Sequence, residues 1–259
     1  MQQDKFLEFL DKYCKNKLEN LMEFDFSALV YNQEFGCPNR SFDCDDTNLT
    51  RIIFSLLYSG KLSNLTFENI GTGQIYRGDT INTFRTIFGE RISEKHFLGI
   101  EKYSSDKLLL DKVEKFYHKY HTIGNFVLLP NKKFNNTTLN LYRGTNSWRD
   151  FFDIFLFELR KCLNNESNKD ETLYGLVKEN ENYFKDINYD FHKFLSMNYL
   201  DEYSTKTLFS PYLYHWKYRN NYEQHSKTYV EFANNFIDVS SELITNRAKI
   251  IIEQLKKSI

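Results

Sequence analysis

The sequence predicts a mainly α-helical fold, a single compact helical domain over residues 1–259, with a small β or extended element near 122–130 and a long C-terminal helix. Three observations carry this. Apolar side chains recur at spacings of three and four along most of the 259 residues. All ten glycines lie at or before Gly175, and Pro211 is the one proline after Pro130, so backbone punctuation belongs to the first two-thirds. Only around Thr122–Leu129 does the period change. A subdivision into a mixed, motif-bearing part (1–146) and a helical part (147–259) follows the same change of texture.

In chain order, segment 4–22 sets Phe6, Phe9, Leu10, Tyr13, Leu18 and Leu21 on one helical stripe. Helix 47–59 follows Asp45–Asp46, read as acceptors for its free amides, and stops at Gly60. Asp79 reads as the cap of a helix Thr80–Phe88 that turns Ile81, Phe84 and Phe88 inward. Asp106 reads as the cap of 107–120, with Leu109, Val113, Phe116 and Tyr120 on its inner face. Thr122–Leu129 is short, apolar and closed by Pro130, which suits a buried strand. Helix returns at Ser147 with Phe151, Phe152, Phe155, Leu159 and Leu163. Asn164–Lys169 reads as an exposed loop, and the last third as nearly uninterrupted helix. From 223 to 257 runs one amphipathic helix in which Tyr222, Tyr229, Phe236, Leu243 and Ile250 recur every seven residues, with His225, Phe232 and Val239 offset by three. That stripe suits either packing on its own domain or a coiled-coil partner, which makes this helix the candidate for oligomerisation.

Composition narrows the function classes. Aromatics make up 17%, with 24 Phe and 18 Tyr, far too many for a disordered chain. The 34 basic and 35 acidic residues nearly cancel, so no global field draws nucleic acid or acidic lipid. No apolar run approaches the roughly 20 residues that span a bilayer, and Met1–Lys5 leads into an amphipathic segment rather than a signal peptide. The expected compartment is the cytoplasm, with no membrane partner. Cys14, Cys37, Cys44 and Cys162 lack metal-ligand spacing and read as reduced structural thiols. No metal or cofactor is predicted.

Two polar, glycine-bearing stretches sit among the apolar helices: Gly71–Phe84 and Tyr117–Gly144. Neither holds a dinucleotide fingerprint or a phosphate loop. In the first, Arg77, Asp79, Thr80 and Asn82 have two readings, capping and the lining of a polar pocket. In the second, His118 and His121 stand three apart at a helix end, as structural histidines complementing the helix dipole or as half of a metal site with no third ligand nearby. The run Gly124–Leu129 is similar to the second half of an HNH nuclease motif, but the Asp-His pair of the first half occurs nowhere in the chain. Basic-aromatic mixing in Tyr212–Arg219 suits base stacking or half-buried surface.

The order GDTINTF (78–84), YHTIGNFVLLPN (120–131), LNLYRG (139–144) and DFFDIFLFELRKCL (150–163) resembles a bacterial family catalogued as a domain of unknown function. Its marks are Thr-Ile-Gly followed at a fixed distance by Pro, here Thr122 to Pro130, and Asn-x-x-Arg-Gly, here Asn140 to Gly144. The similarity covers roughly residues 40–200. A Trp-Ser-Lys-type segment of relatives stands here as Leu57-Tyr-Ser-Gly60, and the C-terminal helix has no evident counterpart. The resemblance implies no catalytic role. It implies a location, where Thr122, Asn125, Asn140, Arg143 and Asp153, with Arg77 and Asp79, are polar residues inside apolar blocks. Burying such groups is costly unless they are paired, so they either staple the core or bind a ligand.

Two functional expectations follow. One is an interaction protein binding a macromolecular partner, with a protein partner and a setting in phage–host conflict as the expectation, since orphan cytoplasmic proteins of this size are common there. The other is a nucleic-acid or nucleotide hydrolase in which Arg77 and Arg143 hold phosphate and His121 or Asp153 moves protons. The missing catalytic set favours the first. Binding of a small ligand without turnover would use the same pocket.

Overall fold

In a computed structural model, the structure describes residues 2–38, 43–63, 65–71, 75–81, 107–145, 152–205 and 227–259. Among them the chain is mainly α-helical, with one two-stranded antiparallel sheet and a C-terminal helix of 32 residues.

Helix α1 (Gln2–Cys14) buries Phe6, Phe9, Leu10 and Cys14. It ends earlier than the apolar stripe suggests, because Lys15 (φ 53°) and Asn16 (φ 57°) are left-handed. The Asn16 amide donates to the Leu10 carbonyl, and the Asn20 side chain donates to that of Cys14 at 2.8 Å, satisfying carbonyls a helix end leaves open. A 3-10 turn, Leu18–Glu23, then returns Leu18 and Leu21 to the core. The stripe is real; the single helix 4–22 is not.

Helix α2 (Asn48–Leu57) is capped by Thr47, whose hydroxyl accepts from the Thr50 amide at 3.2 Å. Asp45 and Asp46 lie in the preceding 3-10 turn and not at the cap. Leu49, Ile52, Ile53, Phe54 and Leu57 form its buried face, and the turn beyond it holds Gly60 at φ +72°.

Strands β1 (Ile75–Asp79) and β2 (Phe126–Pro130) pair antiparallel from Ile75 opposite Pro130 to Asp79 opposite Phe126. All five residues of β2 are buried, so the apolar run has no solvent face. The expected strand is shorter at its start, since Ile123–Asn125 is a 3-10 turn. Asp79 is the last residue of β1, and no helix begins at Thr80 or Ile81. Their amides turn to Asn125 instead, Thr80 N–H to its carbonyl and Ile81 N–H to its side chain. Residues 82–88 of the expected helix lie outside the described residues.

Helix α3 (Lys107–Lys119) buries Leu109, Val113 and Phe116 as its spacing predicts, and α4 spans Leu139–Thr145. The predicted Phe-rich helix is α5 (Phe152–Leu163), with Phe152, Phe155, Leu156 and Leu159 fully buried. After the loop at 164–169 come α6 (Glu171–Glu179), α7 (Glu181–Asp186), α8 (Phe191–Asn198) and α9 (Asp201–Thr205). This part is not continuous helix. Asp170 and Asp190 cap new starts by accepting from Leu173 and Lys193 amides, and Asn188, Tyr189 and Tyr199 adopt left-handed φ without glycine.

Helix α10 (Lys227–Ser258), about 48 Å long at 1.5 Å per residue, packs against the turns 18–23 and 123–125, α2 and α3. Its buried positions are 236, 237, 240, 243, 244, 247, 248, 251, 252 and 255. That set steps by three and four, the stripe of a helix packed along one face on its own domain. Ile250, a member of the expected heptad, is 40% exposed. Among the described residues, one buried cluster runs from Phe6 to Leu255. No helix among the described residues is long and apolar enough to cross a membrane.

Candidate functional site

Of the polar motif residues, Thr80 and Asn125 meet beside the two-stranded sheet. The 3-10 turn at 123–125 buries Asn125 completely. Its Oδ1 accepts from the Thr80 hydroxyl at 2.7 Å and the Ile81 amide at 2.8 Å. Its Nδ2 donates to the carbonyls of Ile81 at 3.0 Å and Tyr120 at 2.9 Å. A side-chain amide offers two acceptor sites and two donors, and all four are used. The Thr80 hydroxyl lies 3.0 Å from that of Tyr203. Since the threonine hydrogen goes to Asn125, Tyr203 is the donor. Thr122 is 2% exposed and donates to the Lys119 carbonyl at 2.8 Å, closing the end of α3.

Gly124 shows why a glycine stands next to that asparagine. A methyl there would collide with the Ile244 carbonyl of α10 and meet the Ala248 side chain. The long helix therefore lies directly on the turn. It is fastened by Arg247, 2% exposed, whose Nη1 donates to the carbonyls of Gly124 and Phe126, each at 2.7 Å, and whose Nε donates to that of Asn198 at 3.0 Å. Burial draws the guanidinium pKa down, opposed by the tyrosines around it. Asn198 extends the network: Tyr58 donates to its Oδ1 at 3.0 Å, and its Nδ2 bonds the Tyr183 hydroxyl at 3.1 Å. Burial pushes the Tyr58 and Tyr183 hydroxyls well above the usual phenol range.

The other two motifs meet on the far strand. A methyl at Gly78 in β1 would overlap the side-chain amide of Asn140 in α4, so glycine of the first motif receives asparagine of the third. Asp79, half-buried, and Asn140 both hold partners of their own. Arg77 lies in β1 opposite Leu128, Arg143 in α4 and Asp153 in α5. The side chains of these three, and all of Asn82, lie outside the described residues, as does Tyr212–Arg219.

His121 does not join the asparagine network. It is 8% exposed, packed against the tilted ring of Tyr120 with centroids 3.9 Å apart, and its Nδ1 has no hydrogen-bond partner. Asp25 Oδ1 lies 3.7 Å from that nitrogen, and Asp25 Oδ2 lies 2.8 Å from Nδ1 of the exposed His118. Burial pushes the His121 pKa down to about 4, reinforced by His118 and opposed by Asp25 and Asp43. No group of three or more metal-ligating side chains among the described residues is arranged to hold an ion. Burial also raises the thiols of Cys14, to about 11, and of Cys44, beyond the thiolate range, so neither is a nucleophile.

The sequence missed Tyr58, Tyr183, Asn198, Tyr203 and Arg247. One signal was present: Arg247 stands four residues after Leu243 and three after Ile244, on the apolar stripe of the long helix. A cation on such a stripe points to a buried polar contact.

Fold and site define a mainly α-helical protein in which Arg247 ties a long C-terminal helix to a short sheet and the turn before it. The chain belongs to a family of unknown function, DUF6994, which it matches over residues 57–251. The match takes in most of α10, the element for which the sequence motifs offered no counterpart. No curated protein and no solved structure matches the chain.

Proposed function

We propose that the protein acts by binding a macromolecular partner, most simply another protein, and not by turning over a substrate. One observation carries this reading: the motif residue best placed to hold a ligand, Asn125, spends its whole hydrogen-bonding capacity inside the core. Thr80 and Thr122 are spent in the same way, and His121 faces the Asp25 carboxylate. A pocket built on these groups would have to break the bonds that hold the fold. The setting of phage–host conflict remains an expectation from the sequence and no feature of the fold bears on it.

The test has two arms. Purified full-length protein is incubated with single-stranded DNA, RNA and nucleoside triphosphates, with magnesium or manganese, and no turnover above blank is expected. In cells, a photo-crosslinking residue placed in turn at the exposed Tyr31, Leu108 and Phe157 is expected to yield a discrete adduct of one mass from one position. Hydrolysis that falls at least tenfold in Arg143→Ala or Arg77→Ala, with an unchanged circular dichroism spectrum, would overturn the proposal in favour of a phosphodiester hydrolase.

A further inference from the structure

Of the phenylalanines whose side chains are described, Phe157 alone is exposed, at 48%. It lies on α5, which turns Phe152, Phe155, Leu156, Leu159 and Cys162 into the core and leaves Phe157 on its outer side. A single exposed apolar side chain is ordinary; a ring held by two cations asks for a reason. The Arg160 guanidinium carbon lies 5.0 Å from the Phe157 ring centroid and the Lys161 ammonium 4.9 Å, the neighbours three and four positions on along a helix. Cation–π attraction keeps such a ring in one place. Glu158 spends both carboxylate oxygens on Lys161, at 2.9 and 3.1 Å. Arg160 is exposed, and among the described residues what its guanidinium meets is that ring. Cations in the last turn answer the helix dipole, which accounts for their charge but not for the apolar ring beneath them.

We propose that Phe157 and Arg160 are the centre of the surface that receives a protein partner, which sets an apolar side chain against the ring and an aspartate or glutamate on the guanidinium. This surface presupposes the binding role inferred above and gives it a place and a partner chemistry. Aromatic and arginine side chains carry most interface energy. A guanidinium grips a carboxylate through two parallel hydrogen bonds, and a ring already fixed costs a partner little further ordering. A nucleic-acid strand suits the same face poorly. A polyanion is held by several cations along its path, whereas Glu158 neutralises one of these two and the whole chain carries a formal charge of −1. Both residues lie within the family-matched span.

The experiment places a photo-crosslinking residue at the exposed Asn164, whose amide donates to the Arg160 carbonyl at 2.9 Å, so that Phe157 and Arg160 stay intact. The full-length protein is cross-linked in cells, and the peptide joined to it is sequenced. A protein adduct is expected, with an aspartate or glutamate and a large apolar residue at the cross-link. Arg160→Glu and Phe157→Ser are each expected to lower its yield roughly tenfold, with thermal unfolding unchanged because both sites are on the surface. Replacing the mapped partner acid by Lys is expected to restore the yield in Arg160→Glu. No adduct, an adduct carrying nucleotides, one joining two copies of this chain, or a yield that Arg160→Glu leaves unchanged overturns the surface. An adduct at Tyr31 or Leu108 instead would keep the binding role and remove this face from it, whereas substrate turnover would remove the role itself.

Discussion

At the scale of single residues, the contrast is between Asn125, fully satisfied, and His121, unsatisfied. Replacing Asn125 by Ala leaves the Ile81 amide and the carbonyls of Ile81 and Tyr120 buried without those partners. At about 1–3 kcal/mol for each such group, the loss should reach about 3 kcal/mol or more, read as a lower urea midpoint at unchanged slope. Asn125→Asp should be no better, because a carboxylate oxygen then faces two carbonyls. A ligand-site asparagine would show the opposite pattern, with stability kept. For His121 the sign follows from burial. Its pKa of about 4 in the folded chain lies below the ordinary 6.5, so between these values the unfolded chain binds a proton that the folded chain refuses. Stability carried by the neutral imidazole is present above about pH 6.5 and lost as pH falls towards 4, with a slope of up to about 1.4 kcal/mol per pH unit. Measured from pH 7 to 4, the urea midpoint of wild type should fall relative to that of His121→Leu. Parallel curves would mean the histidine is not desolvated as described.

At the scale of elements, the long helix and its seat make one unit. Gly124→Ala places a methyl against the Ile244 carbonyl, which α10 relieves only by moving away from Arg247's acceptors. Overpacking of this kind costs about 1–3 kcal/mol, and the broken guanidinium bonds should take the total to the top of that range or beyond. Amide exchange should quicken in α10 near Ile244 while α6 and α8 stay protected; uniform loss across all helices would count against a local seat. What could be read in advance divides along the same line. Helix α3, α5 and the apolar strand were legible because local periodicity decides them. The break at Lys15–Asn16 was not, since it rests on left-handed residues and on a side chain of Asn20 reaching back to Cys14. Asn125, Thr80 and Asn140 were legible as polar residues in apolar blocks, yet their fate was not. Tyr203 lies 123 positions from Thr80, and Arg247 lies 123 from Gly124. Spacing within a motif carries no information on partners so far away.

At the scale of the whole molecule, the family match and the folding unit do not coincide. The match begins at residue 57, the last of α2, and ends at 251. Yet the preceding segment supplies core rather than ornament. Phe6, Phe9, Leu21, Phe26 and Phe35 are fully buried. Phe26 packs edge-on against Phe126 of β2 with ring centroids 5.2 Å apart, and its amide donates to the His121 carbonyl at 3.1 Å. At the other end, Ile252 and Leu255 lie beyond the match and are buried too. A chain of residues 57–251 would expose the faces of β2 and α10 that these side chains cover. At about 1.5–3 kcal/mol for each large apolar side chain buried, the contacts of five phenylalanine and leucine residues are comparable to the whole stability of an ordinary domain, about 5–15 kcal/mol. The truncated chain should therefore keep helical far-ultraviolet dichroism but lose a cooperative thermal transition and bind hydrophobic dye, whereas residues 2–259 melt cooperatively. Cooperative unfolding of 57–251 would show instead that the family core stands alone and that the N-terminal helix and turns are an appended layer.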